Sequence, residues 1–404
     1  MQLVERHITN NNEWEYWCIN AKNLYNQCLY YWRQSIFKNI QYFSEYELVG
    51  LLIEFNDVNY RKLPAHTSGA IIRNLFQNIK SWQKARKEYT KNPDKFKAKP
   101  SMPRYKNELS TLFFTSNQVK LKNGYIHFPK MIGIAPIKTR INNIDACRVL
   151  PRANHFIVEF IYTVADVATK PYNNKAMGID LGMNNMATCI STTGNCFIIN
   201  GKIVKSINQF YNKRKAQLQS DLNPKVFTSK RIKRLTLNRN NKIDNYIHHV
   251  SKYIVEEAKQ LDITKIVIGN NKQWKTNITL GKKTNQSFVS IPFSHLIEKI
   301  EYKAKLAGIE TLITEESYTS KCSALDLESI SKHESYLGRR TKRGLFRTAD
   351  NRYINADGNG ACNILRKVIG DDFIYNSIVS AVVAPSKINL FVQNRLKTKS
   401  HDNN

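Results

Sequence analysis

The sequence predicts a mixed architecture: an α/β core in the second half, with an all-α segment and a small β-barrel before it. Three observations carry this. Residues 13–90 repeat apolar side chains at helical spacing, residues 110–168 break into short strand-like runs with turn signals, and beyond residue 176 buried strands alternate with amphipathic helices.

The elements follow in chain order. "QLVERHI" near the start reads as a strand. In "NLYNQCLYYWRQSIF" the residues Leu24, Cys28, Leu29, Trp32 and Ile36 fall on one helical face, and in "SGAIIRNLFQNIKSWQKARKEY" Ile72, Leu75, Phe76, Ile79 and Trp82 do the same, with Ser68 as the expected N-cap. "TKNPDKFKAKPSMPRYKN" has six basic residues, three prolines and one acid, Asp94, so it is expected to be extended and to contact phosphates. "STLFFTS", "GYIHFPK", "IGIAPIKT", "ACRVLPR" and "HFIVEFIYTV" supply barrel strands, and "VATKPYNNK" is a linker. "KAMGIDLGMNNMATCIST" is a strand, a turn and a second strand. Residues 202–260 are helical, with twelve Lys/Arg and one acid between Lys202 and Lys242. "ITKIVIG" is a buried strand. "IPFSHLIEKIEYKAKLAG" is a helix with Gly308 just past its end, and "IETLITEE" is the next strand.

A chain of 404 residues is too long for one ordinary core, so two or three domains are expected. Lys and Arg outnumber Asp and Glu 62 to 32, a net charge of +30 that favours a polyanionic partner. No apolar run reaches the ~18 residues that cross a bilayer. The charge is spread along the chain rather than gathered on one amphipathic helix, so nucleic acid is expected in preference to a membrane surface. The N-terminus has no signal-peptide core. The seven cysteines form no C-x-x-C pair and read as free thiols, so a reducing cytoplasm is expected, with nucleoid association in a prokaryote.

Three places put carboxylates on a strand end or a helix start. Asp180 interrupts the apolar strand "MGIDLG", where a carboxylate is costly unless paired or metal-bound. Asp357 in "NADGNGACNILRK" stands just before a helix expected to begin at "ACNILRKVI"; a plain helix cap is the simpler alternative. Glu315 and Glu316 end "IETLITEE", where solvated acids are the simpler alternative. Taken together they fit a two-metal phosphodiesterase site, in which Mg²⁺ takes hard oxygen ligands and shares its shell with a phosphate.

"GIDLGMNNMAT", "IVIGNNKQWKTNITLGKKTNQSFVSIPFSHLIEKIEYKAKLAGIETLITEESYTSK" and "INADGNGACNILRK" resemble the RNase H-like, RuvC-like nuclease domain of the TnpB family of transposon-encoded RNA-guided DNA endonucleases, related to type V CRISPR effectors. The resemblance implies a wedge β-barrel at 1–10 and 108–168, a helical recognition lobe at 11–107, a RuvC-like domain at 171–370 and a partly disordered extension at 371–404. It implies Asp180, Glu316 and Asp357 as catalytic Mg²⁺ ligands for two ions. The family usually has a glutamate at the position of Gly269; the acid is expected from the neighbouring strand instead, as Glu316 in preference to Glu315. Relatives often carry paired C-x-x-C motifs before the last Asp. Only Cys322 stands here, with Leu325 where a second cysteine would fall, so no zinc is expected. Lys95, Lys97, Lys99, Arg104, Lys230, Arg231, Lys233, Arg234, Arg339, Arg340 and Arg343 are expected to contact nucleic acid.

The resemblance therefore implies a metal-dependent DNA endonuclease directed by a guide RNA to double-stranded target DNA. Two alternatives stand beside it: a nuclease-dead RNA-guided DNA-binding repressor, and a resolvase or transposase that uses no RNA.

Overall fold

A computed structural model describes residues 1–38, 43–152, 155–270, 291–374 and 376–390. The chain divides into two compact units, 1–165 and 166–404. The stretch "KQWKTNITLGKKTNQSFVS" of the resemblance lies outside the described residues.

The first unit opens with β1 (Gln2–Thr9), then four helices: α1 (Glu13–Phe37), α2 (Glu45–Glu54), α3 (Val58–Arg61) and α4 (Ala65–Lys91). Strands β2 (Leu112–Thr115), β3 (Lys120–Lys122), β4 (Tyr125–His127), β5 (Ile137–Lys138), β6 (Ala146–Arg152) and β7 (His155–Thr163) follow. The predicted helical faces pack as expected: Leu24, Cys28, Leu29 and Trp32 of α1 and Ile72, Leu75, Phe76 and Ile79 of α4 share one core with Leu112, Phe114, Val149, Val158 and Phe160 of the strands. Ser68 is not a cap. Helix α4 starts at Ala65 after Pro64, and the Ser68 hydroxyl, now inside the helix, donates to the carbonyl of Tyr60 at 2.8 Å. Where one barrel is expected, the strands form two antiparallel ladders, β1-β7-β6-β2 and β3-β4-β5, with no pairing between them among the described residues. Buried Glu159 of β7 ties three strands of the first ladder together, accepting from Arg6 of β1 at 2.8 Å and from Arg148 of β6.

The second unit is built on one six-stranded sheet. Its strands are β8 (Ala176–Asp180), β9 (Asn185–Ser191), β10 (Cys196–Asn200), β11 (Lys265–Gly269), β12 (Glu310–Thr314) and β16 (Ser386–Ile388). Helices α5 (Lys202–Ser220) and α6 (Lys230–Gln260) precede β11, α7 (Phe293–Leu306) precedes β12, and α8 (Ala356–Ile369) and α9 (Asn376–Val383) come late. A small sheet, β13 (Arg339–Lys342), β14 (Leu345–Arg347) and β15 (Tyr353–Asn355), leads into α8. The order is β12-β11-β8-β9-β10-β16, with β12, β11 and β8 parallel, and β8, β9 and β10 an antiparallel meander. Strand β16 pairs in parallel with β10, so the C-terminal extension belongs to the fold as far as residue 388. Gly308 follows α7 with φ +69°, the left-handed turn expected of it. Among the described residues no helix is long and apolar enough to cross a membrane.

The two faces of this sheet carry separate cores. Met177, Ile179, Ile266 and Ile268 pack with Ile243, Ile247, Val250 and Ile254 of α6 and Leu296, Ile297 and Ile300 of α7. Ala176, Ile190 and Val267 pack with Ala361, Ile364 and Leu365 of α8.

Candidate active site

Successive residues of a strand point to opposite faces. Asp180 therefore shares the face of Ala176, against α8, and Gly269 shares the face of Val267, also against α8. The β8–β11 register pairs Ile179 with Ile268, so Asp180 and Gly269 end their strands side by side. Two glycines let α8 settle this closely. A β-carbon on Gly178 would stand 2.6 Å from the carbonyl oxygen of Ala361, and one on Gly360 would stand 2.9 Å from Oδ2 of Asp180.

Helix α8 starts at Ala356, five residues before the expected "ACNILRKVI". Its N-cap is Asn355, whose side-chain oxygen accepts from the backbone N–H groups of Asp357 and Gly358 at 3.0 Å each. Asp357 thus lies inside the first turn and is not the cap. Its side chain turns outward: Oδ2 accepts from Nδ2 of Asn185 at 2.6 Å and Oδ1 from Nη2 of Arg340 at 3.0 Å.

Strands β11 and β12 are parallel neighbours, with Gly269 opposite Thr314. Two residues beyond Thr314, Glu316 turns inward: Oε2 lies 3.0 Å from where a β-carbon of Gly269 would be. Glu315 turns away. It is exposed, accepts from the backbone N–H of Ser317 at 3.0 Å and from its hydroxyl, and lies 3.5 Å from Nζ of Lys367. The same lysine donates to the carbonyls of Glu315 and Ser317 at 2.8 and 2.9 Å, which fixes the bend that separates the two acids.

Electrostatics set Asp180 and Glu316 apart from Glu315. Burial pushes the Asp180 carboxyl well above the usual carboxylate range; the charges of Asp357 and Glu316 push it further, and Arg340 opposes them. Burial, aided by the charge of Glu315, raises Glu316 to about 7. Glu315 is held below its ordinary value, chiefly by the Ser317 hydroxyl. Among the described residues no three His, Cys, Asp or Glu side chains form a ready-made metal cage. The donors are nonetheless all carboxylate oxygens, the set that suits a hard divalent cation which keeps its waters, and the Arg340 guanidinium pairs with Asp357.

A cavity of about 520 Å³ opens beside Asp357, lined by Asn184, Asn185, Lys202, Arg340 and Arg343. Two of the expected nucleic-acid residues, Arg340 and Arg343, are thus brought to the acids. Arg339 is exposed on β13, and Lys230, Arg231, Lys233 and Arg234 are exposed or nearly so along the first turns of α6. In the first unit Lys97, Lys99 and Arg104 are exposed, and Lys95 pairs with Glu88 at 3.0 Å.

The sequence reading missed a polar spine on the buried side of α8. Nδ2 of Asn359 donates to the Cys322 carbonyl at 2.9 Å, and its Oδ1 accepts from the N–H of Ala324 at 2.9 Å. Nδ2 of Asn363 donates to the carbonyls of Thr319 and Cys322 at 2.9 and 2.7 Å. Arg366 donates to Oδ1 of Asn363 at 2.8 Å and to the Glu328 carbonyl at 3.1 Å, while buried Glu328 accepts from the N–H groups of Ser323 and Leu337 at 2.6 and 2.8 Å. These bonds clamp the segment just after Glu316. The signal was present as Asn359, Asn363 and Arg366 at i, i+4 and i+7 in an otherwise apolar helix.

A family model described as OrfB_IS605, probable transposase, matches residues 159–275, and a second, Cas12f1-like, TNB domain, matches residues 293–364. A TnpB-like protein, ORF457, of Acidianus two-tailed virus is 25% identical over 211 residues, half of this chain. Over these stretches the chain is similar to the TnpB family. The match spans 43% of that viral TnpB-like protein. Among solved structures, a Cas12f1–sgRNA–target DNA complex matches with a TM-score of 0.50 and 15% identity, over 85% of this chain and 80% of the other. The likeness is one of fold, a mixed α/β architecture.

Proposed function

We propose that this chain is an RNA-guided DNA endonuclease of a transposable element, cutting DNA by phosphodiester hydrolysis at the acidic site of the second unit. The observation that carries this reading is the convergence of Asp180, Glu316 and Asp357 from β8, the end of β12 and the first turn of α8. The antiparallel β8-β9-β10 meander with β11 and β12 added in parallel beside β8 supports an RNase H-like, RuvC-like sheet. On this reading 171–370 is the nuclease domain, 1–10 with 108–168 the wedge, and 11–107 the recognition lobe. The partners are a guide RNA and double-stranded target DNA, as in the complex named for the Cas12f1 relative.

Asp180, Glu316 and Asp357 would hold two Mg²⁺ ions, whose chemistry is to stabilise the attacking and leaving oxygens of an in-line displacement. The chain's own residues do the rest. Asn185 fixes the rotamer of Asp357 through Oδ2. The Arg340 guanidinium, which donates to Asp357, the Arg343 guanidinium and the Lys202 ammonium line the cavity where the DNA phosphates adjoining the cut would lie. Burial of the Asp180 carboxylate, with the charges of Asp357 and Glu316 beside it, primes the site for cations. The repressor reading draws on Gly269 alone and requires that the retained acids be inert.

The test is to purify the protein with its co-purifying RNA, sequence that RNA, and assay a matching target with Mg²⁺. Cleavage that disappears in Asp180→Asn and in Asp357→Asn, with RNA-guided binding kept, supports the reading. Guided binding by the wild type without cleavage favours the repressor, and the absence of specific RNA sinks both.

A further inference from the structure

We propose that a second cavity of this unit, between α5 and α6, stacks an unpaired base of the DNA strand that runs to the acidic site; the choice of DNA rests on the nuclease reading. The cavity measures about 380 Å³ and is lined by Ile207, Phe210, Tyr211, Leu235, Arg239 and Lys242. Phe210 is 65% exposed there, a large aromatic surface left in water. Its surroundings select the occupant. From Lys202 to Lys242 the chain has twelve Lys/Arg and one acid, so a basic partner is repelled and a polyanion is drawn in. Of polyanions, nucleic acid also offers a flat π face, which an aromatic ring beside a guanidinium is suited to hold.

The walls are pre-set. The Tyr211 hydroxyl is hydrogen-bonded to that of Thr236 at 3.0 Å, and Nε of Arg239 donates to Asn208 at 2.8 Å, which keeps the guanidinium 5.7 Å from the Tyr211 ring centre. The position ties this cavity to the acids. Lys202 lines the cavity beside Asp357, and Phe210 stands eight residues further along the same helix, about 12 Å along its axis at 1.5 Å per residue and about 80° around it. A strand leaving the cut site along α5 meets Phe210 a few nucleotides away. The stacked base fixes the strand's register and adds affinity that does not depend on charge.

The experiment measures binding of a labelled single-stranded DNA oligonucleotide by anisotropy in EDTA, across a range of salt. Phe210→Ala is expected to weaken binding by about 5- to 150-fold, the usual range for one lost stack. Phe210→Trp should retain affinity, and the slope of log affinity against log salt should not change, because no phosphate contact is lost. On an oligonucleotide of abasic sites, wild type and Phe210→Ala should bind alike. Equal affinity of wild type and Phe210→Ala on the normal strand overturns the proposal, as does a flattened salt slope or a loss that persists on the abasic strand. A loss seen with an RNA oligonucleotide and not with DNA overturns the assignment to DNA. Unchanged binding in a protein that still cleaves guided targets removes this inference and leaves the nuclease reading standing; a wild type without steep salt dependence removes both.

Discussion

A β-carbon on Gly269 would stand 3.0 Å from Oε2 of Glu316, so the side-chain space at the end of β11 is filled from the neighbouring strand. The same β-carbon would overlap Cδ1 of Ile364 on α8. Glycine is therefore required by what Glu316 and Ile364 already occupy. Gly269→Ala is expected to destabilise the fold by about 1–3 kcal/mol, the usual cost of overpacking, and to lower cleavage by displacing Glu316. Urea melts and a cleavage assay check both. A return to function is the sharper result. In a Glu316→Ala protein, Gly269→Asp with Ile364→Val puts a carboxylate one bond past the new β-carbon and removes the Cδ1 that obstructs it. Cleavage should reappear. A folded triple variant as inactive as Glu316→Ala would show that the two positions do not serve one site.

Glu315 and Glu316 should separate in function. The first is exposed and held by Lys367 and Ser317; the second lies under Gly269 and interacts with Asp180. Glu316→Gln keeps the shape and removes the charge, so guided cleavage should fall by orders of magnitude with one metal ligand gone. Glu315→Gln should cleave within a few-fold of wild type. Initial rates on a guided target decide, and the opposite ranking would reverse the assignment of the two acids.

The clamp behind Glu316 is also open to test. Asn363→Ala leaves the buried carbonyls of Thr319 and Cys322 without its amide donor. An unmet buried polar group costs about 1–3 kcal/mol, so the unfolding midpoint should drop accordingly. Cleavage should fall further than stability explains, because the segment that holds Glu316 loosens. An activity loss that vanishes once the folded fraction is corrected for would limit Asn363 to a structural part.

Much of this was legible in the sequence, for physical reasons. Strand β8 and its Asp180 could be read because an acid in an apolar run is costly. The neighbouring strands β11 and β12 could be read from two apolar runs bracketing an amphipathic helix. What could not be read was local geometry. Alternation along an extended strand shows that one of two adjacent acids faces inward, but not which; the bend at Lys367 decides that, 52 residues away in sequence. The start of α8 was misjudged because "DGNG" reads as a turn, whereas Gly178 and Gly360 lie where helix and strand press together. Ser68 looked like a cap by residue type, yet Pro64 begins the helix a turn earlier. The barrel was inferred from strand count, and count does not set which strands pair.

A last prediction concerns pH and lies away from the acids. Nζ of Lys303 donates to the carbonyl of His248 and to the hydroxyl of Ser251 at 2.7 Å each, between α6 and α7. Beside it, Lys299 reaches Nε2 of His248 at 2.8 Å and pairs with Asp244 at 3.2 Å. Burial, with the charges of Lys299 and Lys252 added, lowers the Lys303 ammonium to about 8. In the unfolded chain a lysine keeps its proton up to about 10.4. Below about pH 8 both states are protonated and the folded state bears the whole cost of the confined ammonium. Between about 8 and 10.4 the unfolded chain binds more protons than the folded one, so this group's contribution to stability rises with pH. Lys303→Met cannot titrate. The stability of wild type minus that of Lys303→Met should therefore increase from about pH 7 to about pH 10, by a modest amount because solvent screens a half-exposed site. Urea midpoints of the two proteins at matched ionic strength measure it. A difference that stays flat, or shrinks, over that range would mean that the ammonium is not desolvated where α6 meets α7.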